Sequence, residues 1–233
     1  MAYDALKESV CKVNLALVQA GLIVLTWGNA SGIDRESGLV AIKPSGVPYD
    51  ELTPEDIVMV SLKEGKVVEG KGRPSSDTPT HLELYREFPN IGAIVHTHSL
   101  HATAFAQACK DIPCLGTTHA DHFYGTVPCT RLMSDAEIQS AYELNTGKVI
   151  VETFRTRNID PDNIPAVLIA NHGPFAWGST PTKAFENAIV LESVAKMQLS
   201  CYQLNPAIGP ISATLLDKHF LRKHGPTAYY GQK

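Results

Sequence analysis

The chain has 233 residues, 44% of them hydrophobic, with 20 basic and 24 acidic residues for a formal net charge of −4 at pH 7. That length holds one large domain or two small ones around a sizeable core, and the acidic balance argues against a nucleic-acid binder, which presents a basic face. No apolar run approaches the roughly 18 residues of a membrane span, and the N-terminal MAYDALKESV lacks the apolar core of a secretory signal, so a cytoplasmic protein without membrane or nucleic-acid partners is expected. Cys11, Cys109, Cys114, Cys129 and Cys201 are odd in number and form no CxxC, which reads as free, mostly buried thiols.

In chain order, Lys7 to Ala20 has Val10, Val13 and Leu17 at helical spacing and ends at Gly21. TWGNASGIDRESG follows, rich in glycine and polar turn formers. Short β-like runs come at residues 39–42 and 57–62, with another starting near Gly65, and EGKGRPSSDTPT reads as loop. Thr78-Pro79 opens a helix carrying Leu82, Leu84 and Phe88. Residues 91–98 form an apolar run ending in HTH, and 99–108 form a helix. A glycine- and threonine-containing loop spans about 113–131. Ser134-Asp135 begins a helix through Leu144, and residues 149–151 and 166–170 are expected strands. NHGPFAWG reads as a tight turn between strands, 182–201 as a long helix and 213–224 as a last one. Alternating helices and strands without a repeat or linker indicate a single α/β domain over residues 1–233, with room for antiparallel pairing among its short strands.

His96 and His98 sit two apart in a β-like run, where alternate residues share a face, so two imidazoles there converge on one ion. The alternative is that one packs and the other caps the next helix. His172 ends an apolar run at a turn before Gly173-Pro174. Three histidines and one carboxylate make a four-ligand site that suits zinc, and also manganese or cobalt. Asp77 is the candidate carboxylate, although its position before a helix equally fits an N-cap. His81 and His101 fall inside expected helices and read as surface or packing residues, while His119 and His122 flank Asp121. Gly28-Asn29, Ser45-Gly46 and Ser75-Ser76 each read singly as turns. Together they offer hydroxyls and backbone N–H donors able to cradle a phosphate, with Lys43 adding a cation. None resembles a Walker loop or dinucleotide fingerprint.

TWGNASGID, IKPSGV, RPSSDTPTH, IVHTHS, TTHADHFYG, NHGPFAWG and LRKHG…AYYGQ occur in the order and spacing of the class II aldolase family, from about Leu6 to Gln232, and most narrowly resemble its pentulose-phosphate epimerases. The resemblance implies a three-layer α/β/α sandwich with a mixed, largely antiparallel central sheet, and a homotetramer with sites between subunits. It makes His96, His98 and His172 zinc ligands and Asp77 the fourth, at a position where related aldolases carry a catalytic glutamate. Asp121 and Tyr230 match the acid/base pair. Gly28, Asn29, Lys43, Ser45, Gly46, Ser75 and Ser76 match substrate and phosphate contacts, and His219 and Arg222 match residues near the site from a neighbouring subunit. His122 stands where the family pattern has tyrosine.

The implied activity is interconversion of L-ribulose 5-phosphate and D-xylulose 5-phosphate, in arabinose or ascorbate catabolism, by metal-assisted retro-aldol cleavage and re-formation of the C3–C4 bond. The inverted carbon carries no acidic hydrogen, so simple deprotonation is a poor route. The alternatives are a class II sugar-phosphate aldolase, which Asp77 disfavours, and a non-catalytic homologue, which the intact ligand set disfavours.

Overall fold

In the computed structural model, residues 3–226, 228 and 229 are described. The elements in chain order are α1 (Asp4–Gln19), β1 (Gly28–Asp34), β2 (Leu39–Ile42), β3 (Val58–Ser61), β4 (Val67–Glu69), α2 (Thr78–Glu87), β5 (Ala93–Thr97), α3 (Leu100–Gln107), α4 (Thr117–Ala120), α5 (Asp135–Gln139), α6 (Tyr142–Thr156), β6 (Ala166–Leu168), β7 (Pro174–Gly178), α7 (Pro181–Leu204) and α8 (Ala213–His224). The seven strands form one sheet in the order β4-β3-β2-β1-β5-β7-β6. Every neighbouring pair is antiparallel, and the mixed character expected for the sheet reduces to one isolated parallel bridge between Cys129 and Leu168.

Strand alternation assigns the two faces. Ala30, Ala93, Val95 and Ala176 pack with α1, α3 and α7 through Val13, Leu17, Phe105, Leu191 and Val194. Ile33, Val40, Ile94 and Trp177 pack on the other face with α2 and α6, through Leu84, Phe88, Ile150 and Phe154. This is the expected α/β/α sandwich. His96 shares the parity of Ile94, and Asn29 and Ser31 that of Ile33, so these polar residues lie on the α2/α6 face.

Four sequence expectations differ from the structure. The glycine-rich stretch read as turns is the central strand β1. Its small residues permit close approach: a Cβ at Gly32 would stand 3.0 Å from Leu6 and Val10 of α1. Asn14 of α1 then pairs with this backbone, donating to the Ala30 carbonyl and accepting from its amide at 2.9 Å. Residues 149–151, read as a strand, lie inside α6, because 146, 147, 150, 151 and 154 recur at helical spacing and are buried toward α2. Gly147 admits the Glu83 side chain there. The helix expected through Leu144 breaks at Ser140 and Ala141 into α5 and α6, and the turn in NHGPFAWG closes by Gly173, after which 174–178 is strand.

Candidate active site

β5 sets the site. It pairs His96 with Asn29 of β1 on one side and Phe175 of β7 on the other. His98 follows just beyond the strand end. His172 sits in the β6–β7 turn, closed by the Ile169 amide donating to the Gly173 carbonyl and the His172 amide donating to the Ile169 carbonyl, with Asn171 in the left-handed conformation that asparagine tolerates (φ 62°). One nitrogen from each of the three histidines lies within 4.8 Å of the others, a spacing that one metal ion at ordinary Zn–N distances of about 2.0–2.1 Å closes with small side-chain movements. The tautomer of His96 is fixed. Its Nδ1 is 2.9 Å from the Pro174 carbonyl, which only accepts, so Nδ1 carries the proton and Nε2 offers the lone pair. Phe175 stacks on the His96 ring at 4.2 Å between centroids. Burial, then the neighbouring imidazoles, push His172 down to about 4 and lower His98, so both rings are neutral and ligand-ready at pH 7. The donor set fits a divalent metal.

Asp77 occupies the N-cap position of α2 but makes no side-chain capping bond. Its Oδ2 instead accepts from Asn29 Nδ2 at 2.6 Å, and the same amide donates to Ser75 Oγ at 3.0 Å. Burial opposes ionisation of Asp77, but attraction from His96 and His81 and the Asn29 bond outweigh it and hold the carboxyl below its ordinary range. Asp77 lines the same cavity as the three histidines without belonging to their close nitrogen cluster.

That cavity has a volume of about 570 Å³ and brings together all the sequence-expected metal and phosphate residues. Gly28 needs its glycine: its φ is +117° and a Cβ would lie 2.7 Å from the His96 carbonyl oxygen. The Ser45 amide donates to the Arg73 carbonyl and the Ser75 amide to the Lys43 carbonyl. The serine hydroxyls and the amides of Gly46 and Ser76 are the donors that these loops leave for a ligand. The Lys43 ammonium is turned to the carbonyls of Pro44 (3.2 Å) and Val47 (2.7 Å), over the Tyr49 ring. It supplies positive potential to the wall from a buried position. Thr26, Trp27, Tyr142 and Glu143 also line the cavity and were missed in the sequence. Trp27 directly precedes Gly28 and was legible by adjacency. Tyr142 and Glu143 open α6, a start hidden by reading residues 149–151 as a strand. Tyr142 OH lies 3.4 Å from His172 Nδ1.

Asp121 is elsewhere. It ends α4 and does not line the histidine cavity. Its carboxylate accepts from His219 Nδ1 at 3.0 Å and Arg222 at 3.1 Å, with Lys223 Nζ at 3.4 Å. Burial raises its pKa, but the His219 and Arg222 bonds outweigh this and keep it ionised. His219 and Arg222, expected from a neighbouring subunit, thus meet Asp121 of their own chain. Tyr230 lies outside the described residues. His122 lines a second cavity of about 330 Å³ with Lys183, Phe220 and His224, so the departure from the family tyrosine touches the Asp121 neighbourhood and not the histidine cavity.

Three histidines outside the cluster make acid stability testable, His122 among them, which burial pushes down to about 4. Burial pushes His81 down to about 3 and, against a stabilising Gly125 carbonyl contact, His119 down to about 4, both from an ordinary 6.5. Folded values below the unfolded one mean that their contribution is complete above pH 6.5 and is lost as pH falls toward 4. Each such group adds a slope of about 1.4 kcal/mol per pH unit over that window. Urea midpoints of the chelator-treated protein are expected to fall steadily from pH 6.5 to 4.5. A flat profile would show that these rings protonate without unfolding.

The fold and the three-imidazole cavity define an α/β sandwich with a candidate metal site, and comparison with known proteins supplies its class. Residues 8–199 match the family model described as Class II Aldolase and Adducin N-terminal domain. The chain belongs to the class II aldolase family. It is 55% identical over 228 residues to the L-ribulose-5-phosphate 4-epimerase UlaF of Salmonella paratyphi B, covering 98% of this chain and 99% of that protein. Among solved structures, an L-fuculose 1-phosphate aldolase superposes with a TM-score of 0.77 at 28% identity, covering 92% of this chain and 94% of its own. The L-fuculose-1-phosphate aldolase of Thermus thermophilus superposes with a TM-score of 0.64, also at 28% identity, over 89% and 98% of the two chains.

Proposed function

We infer that the chain is a metal-dependent L-ribulose-5-phosphate 4-epimerase, a single domain converting that substrate to D-xylulose 5-phosphate. The observation that carries this reading is the joining, in one cavity, of the three-imidazole cluster with the Ser45-Gly46 and Ser75-Ser76 loops. The epimerase choice over an aldolase is supported by near full-length 55% identity to an epimerase, against 28% to the aldolases, and by Asp77 in place of glutamate. His96, His98, His172 and Asp77 would hold the ion, zinc first, with manganese and cobalt also suited to nitrogen and carboxylate donors. When bound, the metal supplies Lewis-acid polarisation of the substrate's ketone.

The chain's own groups do the rest. The hydroxyls of Ser45 and Ser76 and the amides of Gly46 and Ser76 hold the phosphate, and buried Lys43 adds potential behind them. Anchoring the two-carbon fragment by its phosphate lets the aldehyde turn its other face without leaving. The C4 oxygen points to opposite sides before and after inversion, so two proton-transfer groups are required. Asp121, through its carboxylate, and Tyr230, through its phenol, fill these roles. Asp121 does not line the histidine cavity of its own chain, which favours a cyclic homotetramer in which Asp121, His219 and Arg222 serve an adjacent subunit. Among the described residues no helix is long and apolar enough to cross a membrane.

Purified, metal-loaded protein is expected to convert L-ribulose 5-phosphate to D-xylulose 5-phosphate in a coupled assay, and chelator should abolish the conversion. Release of dihydroxyacetone and glycolaldehyde phosphate as main products would replace this reading by an aldolase.

A further inference from the structure

His81, read from the sequence as an ordinary helical histidine, is fully buried between α2 and β1. It stands one helical turn after Asp77, its amide donating to the Asp77 carbonyl. Ser31 Oγ lies 2.7 Å from its Nδ1 and 2.8 Å from Tyr85 OH. These contacts order the protons. Burial keeps the imidazole neutral and raises the pKa of Tyr85, which keeps its proton. A tyrosine that donates to Ser31 leaves the serine proton for His81 Nδ1, and the ring proton then sits on Nε2. The reverse order would strand the Tyr85 hydroxyl proton in an apolar layer, at a cost of about 1–3 kcal/mol.

Nε2 is buried and has no protein hydrogen-bond partner, and the same holds for Asn29 Oδ1. One is a donor, the other an acceptor. β1 places Asn29 and Ser31 on the same face, so the strand that holds His81 through Ser31 also carries the amide that grips Asp77. The His81 edge packs on Phe175 at 5.8 Å between centroids, and Phe175 stacks on His96.

We propose that His81 is a positioning residue of the metal site, held by the Tyr85–Ser31 relay so that its Nε2–H backs the Asp77–Asn29 pair and its ring braces Phe175 against His96. The proposal rests on the reading of His96, His98, His172 and Asp77 as ligands. It gives the relay a purpose that packing alone does not, since an apolar residue would fill the space without a buried unpartnered donor.

The test is zinc affinity by chelator competition, with the visible spectrum of the cobalt-substituted protein and the melting temperature of the metal-free protein recorded alongside. Wild type is expected to bind one zinc per chain, and failure to do so would remove the ligand reading and this proposal with it. His81→Gln carries an amide nitrogen at the reach of Nε2 and is expected to bind zinc nearly as wild type. His81→Asn carries its amide only at the reach of Nδ1, and is expected to bind zinc about 10–100-fold more weakly, with an altered cobalt spectrum. Ser31→Ala frees the tautomer and should weaken zinc binding in the same direction, which keeps the test available if His81→Asn does not fold. Wild-type affinity in His81→Asn or, where that variant is unfolded, in Ser31→Ala would overturn the proposal. Equal losses of affinity in the Gln and Asn variants, in step with melting temperature, would also overturn it, since they would mark a packing role only.

Discussion

Replacing His172 by Asn is expected to remove the bound metal and lower turnover by about 10³-fold, while the fold persists. The size follows from the several kcal/mol that a Lewis acid contributes to the transition state, at a factor of ten per 1.36 kcal/mol. His172 is the informative ligand to change. His96 is buried, stacked on Phe175 and bonded to the Pro174 carbonyl, so its loss would disturb the core as well as the site. His172 sits in the β6–β7 turn, half-buried, with Tyr142 as its hydrogen-bond neighbour. Its truncation removes one nitrogen from the cluster at small structural cost. Metal content by elemental analysis, turnover, and a melting curve decide the matter together. A variant that keeps one metal per chain and full turnover would take His172 out of the ligand set.

The clustering of the three histidines was legible because strand alternation is a strong constraint. Two histidines at i and i+2 must share a face, and a third beside a Gly-Pro turn must sit at a strand end. The fold was legible wherever apolar residues kept one period, as in α1, α7 and α8. β1 was hidden because its glycines, which permit close packing against α1 and His96, look locally like turn formers. α6 was hidden because Val149, Ile150 and Val151 are β-branched, and only the burial of residues four and three positions away shows the helical face. The polar surroundings of His81 were hidden for another reason. Periodicity places a residue on a face but does not report which polar groups wait there, and the Ser31–Tyr85 pair comes from other elements. Asp121 shows a further limit. Sequence order gives no distance between its carboxylate and the histidine cavity, and in the folded chain that carboxylate meets α8 instead.

Asp121→Asn should lower turnover by about 10²–10⁴-fold, the range that a positioned acid or base contributes, and leave metal content unchanged. Asn keeps the shape of the side chain but not the charge that faces His219, Arg222 and Lys223. The decisive experiment mixes this variant with His172→Asn. If Asp121 serves the cavity of an adjacent subunit in a closed ring, random co-refolding of equal amounts places an intact His172 beside an intact Asp121 at about one quarter of the sites. Two nearly inactive proteins would then recover about a quarter of wild-type turnover. If Asp121 instead serves its own chain's cavity, every site in the mixture carries one defect and nothing is recovered. Recovery would therefore place the acid/base group and the metal on different subunits. Its absence, with mixed oligomers shown to form, would return Asp121 to its own chain and require a movement of α4 and α8 toward the cavity.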